Sequence, residues 1–292
     1  MFLGPHLLFA ARPGNPIDGN EEHPGSRSMC SRIERECLWH TGLMVVHPYL
    51  EHDGPIAFAH RGGRDVAPEN TMASFEHAVS LGYRYLETDV HRTIDGALMS
   101  FHDPDLNRTC GIDAQIGEMT AAEVAEARVD GEHSIPLMSD LFEAFPDARF
   151  NIDAKSEESV EPLAALVKQF DALDRVCLAS FSLQRLGRLR SLLGKRLLTN
   201  MSPAEVISLR LIGRVPGRAA RAAQVPASIR GVTVVDQRFV TNAHLSDISV
   251  HIWTINDTTE MHRLLDLGVD GIMTDETALL RDAFIERGHW HS

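Results

Sequence analysis

The sequence predicts an α/β fold, a (β/α)8 TIM barrel with a small hairpin and lid insertion after the second strand. From Ile56 onward, short apolar runs of strand type alternate with longer segments of helical type, the pattern of repeated βα units. The chain of 292 residues is long enough for one such barrel, which takes roughly 250 residues. Its composition, 43% hydrophobic and 24% charged, provides a sizeable core.

Residues 1–50 are predicted to form a poorly structured leader before a barrel domain over 51–292. Gly, Pro, His and charged residues are mixed there with no apolar period. The leader is either an appendage or an over-extended reading frame, since Met44 opens the segment that leads into the first convincing strand. The apolar patch 7–11 lacks the basic lead of a signal peptide. No run reaches the ~18 to 20 apolar residues that cross a bilayer, so we expect a cytoplasmic protein.

The predicted elements follow in order along the chain. Ser182 and Asp257 are expected N-caps, and Gly82 and Gly268 lie where helices need a left-handed stop. Core strands are predicted near 56–60, 84–90, 149–154, 175–181, 196–200, 231–235, 250–255 and 271–274. Helices are predicted over 71–81, 157–170, 183–193, 203–212, 258–267 and 276–286.

A ninth apolar run, 97–101, is predicted to be a hairpin arm and not a barrel strand. It follows Asp95-Gly96, a turn so tight that it joins antiparallel strands. A parallel neighbour would need a crossover of a dozen or more residues. Residues 93–148 are therefore expected to form the lid insertion.

The formal net charge of −13 argues against a nucleic-acid partner, because such proteins use excess Lys and Arg to displace counterions. A protein this acidic must hold an anionic ligand with a bound cation or a local basic cluster. The four cysteines have no paired spacing typical of a metal site, so free thiols in a reducing compartment are expected. They are Cys30, Cys37, Cys110 and Cys177.

Carboxylates are concentrated at strand ends, where a β/α barrel places its active site. Side chains alternate along a strand, so Glu87 and Asp89 point the same way, into the barrel. With Asp153 on the adjacent strand they form an all-oxygen set that suits Mg²⁺ or Ca²⁺. The alternative is that they form salt bridges with Arg61 and Lys155 inside the barrel mouth.

His60 and His102 also end strand-like runs, and histidine titrates near neutral pH. Two histidines on either side of one ligand could divide the roles of general base and general acid. Taken singly, a histidine at a strand end is more often structural. Arg61 and Lys155 offer cations to an oxyanion, or else balance the carboxylates.

These residues lie in stretches that together resemble the glycerophosphodiester phosphodiesterase family over roughly 56–285. The first part of the resemblance comprises His60-Arg61-Gly62-Gly63, Ala67-Pro68-Glu69-Asn70-Thr71, Glu87-Thr88-Asp89-Val90, Asp95-Gly96, Phe101-His102-Asp103-Pro104 and Asn107-Arg108-Thr109. The second comprises Ile152-Asp153-Ala154-Lys155, Ser180-Phe181, Trp253-Thr254-Ile255-Asn256 and the run 268–275.

The resemblance implies hydrolysis of deacylated phospholipid headgroups, the glycerophosphodiesters, to sn-glycerol 3-phosphate and an alcohol. It makes His60 and His102 the acid and base pair. One divalent cation, Mg²⁺ or Ca²⁺, would be held by Glu87, Asp89 and Asp153. Substrate and phosphate would be bound or oriented by Arg61, Lys155, Asn70 and Trp253. The family usually has Glu-x-Lys where this chain has Asp153-Ala154-Lys155, so the third carboxylate is one methylene shorter.

Three alternatives remain open at this point. A lysophospholipase D uses the same apparatus but needs an apolar groove beside the site, and the mostly polar segment 104–148 offers none. The five arginines from Arg210 to Arg230 suggest weak contact with anionic lipid, or a solvated helix face. A catalytically silent barrel would be expected to lose one of the site residues, and all are present. The alcohol, the oligomeric state and the occurrence of a cyclic phosphate intermediate stay undetermined.

Overall fold

A computed structural model describes residues 46–215, 217 and 220–290, and it confirms the predicted barrel. Within these residues eight parallel strands follow one another around a nearly closed sheet. They are β1 (Ile56–Ala59), β2 (Tyr85–Arg92), β6 (Arg149–Ala154), β7 (Val176–Ala179), β8 (Leu198–Thr199), β9 (Ala222–Val225), β12 (Ser249–Ile252) and β13 (Gly271–Thr274). A parallel bridge between Asn200 and Ala222 links β8 to β9.

The remaining strands form short antiparallel pairs outside the barrel path. They are β3 (Leu98–Ser100), which pairs with β2, the pair β4 (Arg128–Val129) and β5 (His133–Ser134), and the pair β10 (Ser228–Ile229) and β11 (Val232–Thr233).

Helices follow most of the barrel strands and pack around them. The helices of the barrel layer are α1 (Met72–Ser80), α4 (Met138–Ala144), α5 (Val160–Gln169), α6 (Leu183–Leu193), α7 (Pro203–Ile212), α8 (Gln237–His244), α9 (Thr258–Leu267) and α10 (Thr277–Glu286). The shorter α2 (Asn107–Cys110) and α3 (Ala121–Glu126) lie between β3 and β4.

The predicted helix boundaries agree with the structure to within a few residues, because the predicted N-cap residues and a helix-ending glycine lie at the helix ends. Ser182 accepts a hydrogen bond from the Arg185 amide at 3.3 Å, and Asp257 accepts one from the Glu260 amide at 2.8 Å. Gly268 ends α9 in the left-handed conformation, with φ of 84°. The sequence analysis missed α4 and α8.

The sixth predicted barrel strand, 231–235, is wrong. The barrel strand is β9, and Val232 and Thr233 form an exposed hairpin with Ser228 and Ile229 instead. The β-branched run 232–235 has the higher strand propensity, whereas β9 reads Ala-Ala-Gln-Val. Burial between the helices and the barrel interior overrides that local preference, and all four residues of β9 are buried.

The insertion after β2 has a small core of its own. The tight turn at Asp95-Gly96 joins β2 to the antiparallel β3, as predicted. Met99, Leu106 and Ile116 pack together there with Val124 and other buried side chains. Helix α4, by contrast, packs into the main core through residues such as Leu141 and Phe142.

Residues 1–45 of the predicted leader lie outside the described residues, as do Cys30 and Cys37. Pro48–Leu50 form a 3-10 helix, and Tyr49 is buried edge-to-face against Tyr85 with ring centroids 5.3 Å apart. The other two cysteines are free thiols. None of the helices in the described ranges is both long and apolar enough to cross a membrane, and the cytoplasmic location stays a prediction.

A buried histidine below the site makes the stability of the fold depend on pH. Burial lowers the pKa of His251 to about 4, whereas an unfolded chain holds it near the ordinary value of 6.5. The unfolded chain therefore binds the extra proton first as the pH falls, so stability declines from about pH 6.5 downward.

We expect the His251→Gln variant to lose less stability on acidification than the wild type. From pH 7 to pH 5 the wild type should lose about 2 kcal/mol more of its free energy of unfolding than the variant. Urea denaturation at both pH values measures this difference. Parallel losses in the two proteins would show that His251 is not the group responsible.

Candidate active site

A glycine-rich turn after β1 contains the first two candidate residues, His60 and Arg61. His60–Gly62 form one 3-10 turn in which Arg61 adopts a left-handed conformation, with φ of 53°. Gly62 has φ of 83°, and a Cβ there would lie 2.4 Å from the Ser74 hydroxyl, so only glycine fits. The turn brings the Arg61 amide to Oε2 of Glu87, at 2.9 Å.

The three predicted carboxylates lie on neighbouring strands at one end of the barrel. Asp89 of β2 is directly opposite Asp153 of β6, and Glu87 is two residues earlier on the same face. The Lys155 ammonium lies between the paired aspartates, 2.7 Å from Asp89 Oδ1 and 2.8 Å from Asp153 Oδ2. Nε of Arg61 lies 3.2 Å from the second oxygen of Asp89. The salt bridges with Arg61 and Lys155, which were the alternative to a metal site, are therefore present.

The two carboxyl groups on β2 are both buried, but the neighbouring charges shift their pKa values in opposite directions. Burial and then the charge of Asp89 raise the pKa of Glu87 to about 7. Burial also acts on Asp89, but Lys155 and Arg61 outweigh it and lower the pKa of Asp89 below its ordinary value. Glu87 is thus the member of the pair that lacks a full compensating charge.

Both candidate histidines are held by a carboxylate through Nδ1. His60 Nδ1 lies 2.6 Å from Asp275 Oδ1, and His102 Nδ1 lies 2.6 Å from Asp103 Oδ1. Each contact favours the tautomer that donates from Nδ1, which leaves Nε2 for proton transfer. Burial disfavours protonation of His60, but the charge of Glu87 and the hydrogen bond with Asp275 raise its pKa above the ordinary value.

Glu69 is a connecting residue that the sequence analysis did not assign. It is 5% exposed and accepts hydrogen bonds from Arg61 at 2.9 Å and from Arg108 at 2.5 Å. Arg108 also donates to Asp103, the partner of His102, at 2.5 Å. Glu69 therefore connects the turn after β1 to the insertion that carries His102. It does not end a strand, so strand-end reasoning had no signal for it.

Asn70 is not among the residues that line the cavity, and its assignment to substrate or phosphate binding stays a prediction. It is 1% exposed, and its side-chain amide nitrogen lies 3.4 Å from Asp89 Oδ2. Its side-chain carbonyl oxygen accepts hydrogen bonds from the hydroxyl groups of Thr88, at 2.8 Å, and of Ser100, at 3.3 Å. With its polar atoms occupied in this way, Asn70 can orient Asp89, the orienting role that the resemblance implies.

The other predicted site residues meet in one cavity of about 340 Å³. His60, Arg61, Glu87, Asp89, His102, Asp153, Lys155 and Trp253 all line it. One side is therefore charged. The opposite side is apolar and comes mainly from α7 and the segment after β9, through Met201, Pro203, Val206, Ile207, Val225, Pro226 and Ile229.

The chemistry of the carboxylates fits a hard divalent cation. Oδ1 of Asp153 is buried and accepts no hydrogen bond, and burial together with the charge of Asp89 raises the pKa of Glu87. As the side chains stand, however, no three His, Cys, Asp or Glu residues in the described part of the chain converge closely enough to chelate an ion. The Lys155 ammonium occupies the position between Asp89 and Asp153.

The mouth of the barrel combines two anchored histidines, a cluster of carboxylates and the cationic side chains of Arg61 and Lys155. This combination defines a hydrolase that acts on an anionic ester. Comparisons with known proteins identify the class of ester. Residues 60–279 match the model of the glycerophosphoryl diester phosphodiesterase family. The chain belongs to this family and is a phosphodiesterase.

Individual relatives agree with this assignment. The probable glycerophosphodiester phosphodiesterase 2 of Mycobacterium tuberculosis is 37% identical over 252 residues, which cover 83% of this chain and 95% of that protein. The human lysophospholipase D GDPD1 is 29% identical, covering 77% of this chain and 84% of its own. A phosphodiesterase of Oleispira antarctica, solved with the product sn-glycerol-3-phosphate, superimposes with a TM-score of 0.68 at 24% identity, covering 80% of this chain and 97% of its own.

Proposed function

We propose that this protein hydrolyses glycerophosphodiesters to sn-glycerol 3-phosphate and an alcohol, with His60 and His102 as the acid and base. The observation that carries the proposal is that both histidines are anchored through Nδ1 and line the same cavity as the cluster of charged residues. A glycerophosphodiesterase relative and a product-bound structure of similar fold support the choice of substrate.

The two histidines divide the proton transfers of the reaction. One accepts the proton of the attacking oxygen and the other donates a proton to the departing alkoxide, and over the whole reaction water supplies the oxygen that is added to phosphorus. Arg61 and Lys155 neutralise the charge of the phosphoryl oxygens. The guanidinium group of Arg61 can donate two parallel hydrogen bonds, and the ammonium group of Lys155 acts as a compact charge. Asp275 and Asp103 hold the rings in the productive tautomer.

Glu87, Asp89 and Asp153 would hold the divalent cation, either Mg²⁺ or Ca²⁺. When bound, it supplies Lewis-acid polarisation of the phosphoryl group. Asp153 contributes through the oxygen that accepts no hydrogen bond. Binding of the cation would require the Lys155 ammonium group to move partly out from between Asp89 and Asp153, toward the phosphate that Lys155 would bind.

The proposal is tested by release of glycerol 3-phosphate from glycerophosphocholine before and after chelation, and after Mg²⁺ or Ca²⁺ is added back. We expect activity that chelation removes and that one of the two ions restores. Activity that chelation leaves unchanged would contradict the metal site and leave the histidine roles standing. No release of glycerol 3-phosphate under any condition would contradict the proposed substrate.

A second candidate function is lysophospholipase D activity, and the apolar side of the cavity favours it. The segment 104–148, in which no apolar groove was expected, contributes none of the described lining residues. The apolar wall comes instead from α7 and the segment after β9. A human relative carries this activity in its name.

The two functions are separated by the ratio of kcat/KM for lysophosphatidylcholine to kcat/KM for glycerophosphocholine, measured on one preparation. A ratio well above one would show that the apolar wall binds an acyl chain. A ratio well below one supports the headgroup substrate.

A further inference from the structure

We propose that the apolar rim of the cavity mouth docks onto a membrane surface that contains anionic lipid. The apolar rim consists of Phe181, Ile207, Leu211, Ile229 and Val232. Each of these large side chains is between 54% and 71% exposed. Exposed apolar side chains that cluster around a binding cavity mark an interaction surface.

The rim is continuous with the mouth of the cavity. Phe181, Ile207 and Ile229 also line the cavity itself. Leu211 lies one helical turn after Ile207 on the same face of α7. Val232 pairs with Ile229 across the β10–β11 hairpin, so the two side chains share one face of it.

The tip of this hairpin has a fixed shape. Arg230 and Gly231 both have positive φ, 51° and 80°, the combination of a type I′ turn. The hairpin therefore presents Ile229, Val232 and Arg230 together at an exposed turn. An apolar pair with an arginine beside it can enter the interface of a bilayer while the guanidinium contacts headgroups.

The charge of the surrounding segment complements anionic lipid. Between Glu205 and Asp236 the sequence has five arginines and no acidic residue, in a protein of net charge −13. Arg210 pairs with Asp236 at 2.9 Å. Arg214 and Arg230 are exposed, and no ion pair joins either of them to a carboxylate of the described residues. The Arg214 carbonyl accepts from the Ser208 hydroxyl at 2.9 Å, which places Arg214 beside the middle of α7.

A lipid surface fits these features better than a protein partner. The rim is mostly aliphatic, whereas protein interfaces depend on buried Trp, Tyr and Arg anchors. The arginines create a local positive field that an otherwise acidic protein needs in order to approach an anionic bilayer. Ile207 and Leu211 lie on α7, and Ile229, Arg230 and Val232 lie on the hairpin. Arg214 follows the end of α7 by two residues, so one surface can engage both features.

The test is co-sedimentation of the full chain with vesicles of phosphatidylcholine and with vesicles that also contain phosphatidylglycerol. From the usual contribution of an arginine near an anionic surface, the two together should give roughly 30-fold tighter binding to the anionic vesicles. Added salt should weaken that preference, because it screens exposed charges.

Two double variants remove the proposed contacts without touching residues that line the cavity. Leu211→Ser with Val232→Ser should weaken binding to both kinds of vesicle. Arg214→Gln with Arg230→Asn should abolish the preference for anionic vesicles, and asparagine tolerates the positive φ at position 230. Matched controls lie on other helices: Val79→Ser with Leu279→Ser for the apolar pair, and Arg263→Gln with Arg281→Gln for the charges.

Controls that bind like the wild type, together with weakened rim variants, would support the proposal. Three results would overturn it: equal sedimentation with neutral and anionic vesicles, equal losses in the rim variants and the controls, or no vesicle binding at all. If the rim instead covers a second copy of this chain, the wild type will be a dimer that Leu211→Ser with Val232→Ser converts to a monomer, without vesicle binding.

Discussion

His60→Gln lowers kcat for glycerol 3-phosphate release by about 10² to 10⁴-fold, the usual contribution of a positioned acid or base. Glutamine keeps a polar side chain that can still bond to Asp275, but it cannot carry a proton at neutral pH. The contact of 2.6 Å between His60 and Asp275 already fixes the ring in place, so little of the loss should come from disorder. The same reasoning gives a comparable loss for His102→Gln.

The control for this experiment is His133→Gln, which changes a partly exposed histidine in the β4–β5 hairpin of the insertion. It should retain wild-type kcat. If His60→Gln raised KM for glycerophosphocholine and left kcat unchanged, His60 would bind substrate without transferring a proton.

Asp89→Asn is expected to reduce both activity and stability. Asp89 is 2% exposed and pairs with Lys155 and Arg61, so its neutralisation leaves two partly buried cations with only part of their compensating charge. Removing one partner of a buried ion pair costs about 3 to 5 kcal/mol. Relief of the repulsion from Glu87 offsets part of this cost. Because a proposed metal ligand is lost as well, activity should fall by about 10²-fold or more.

Urea denaturation and the glycerophosphocholine assay measure the two effects on one preparation. Asp113→Asn, an exposed aspartate in the insertion, provides the matched control and should change neither quantity. An Asp89→Asn variant with wild-type stability and activity would contradict both the ion-pair network and the metal role.

The fold was predictable because the signals that determine it are local. Alternation of strand and helix patterns, capping residues and the Asp-Gly turn indicated the barrel and the hairpin. The exception is β9, whose Ala-Ala-Gln-Val sequence has no strand signal and becomes a strand through burial alone. The more β-branched run beside it forms the exposed hairpin.

The candidate residues were expected to lie close together for one geometric reason. The carboxyl ends of the parallel strands all lie at the same end of a barrel. His60, Glu87, Asp89 and Asp153 line the same cavity for that reason. Contacts between segments far apart in sequence could not be predicted in this way. The link from Glu69 to Arg108, 39 residues later, depends on how the insertion packs against the segment after β1.

The apolar wall of the cavity was missed for a similar reason. Residues 203–212 were predicted only as a helix of the barrel. The segment after β9 was placed before a predicted barrel strand, 231–235, whose residues Val232 and Thr233 belong to the exposed hairpin instead. Only the three-dimensional arrangement brings Ile207 and Ile229 to the mouth of one cavity. The apolar wall and the apolar rim are therefore the surfaces least predictable from sequence, and the second candidate function and the proposed docking depend on them.

The most direct measurement of the central claim is the identity of the phosphorus-containing product formed from glycerophosphocholine, followed by phosphorus NMR. The wild type should convert the diester to sn-glycerol 3-phosphate, and a variant with both His60→Gln and His102→Gln should leave it intact. Phosphocholine as the product, or equal turnover by the double variant, would contradict the account.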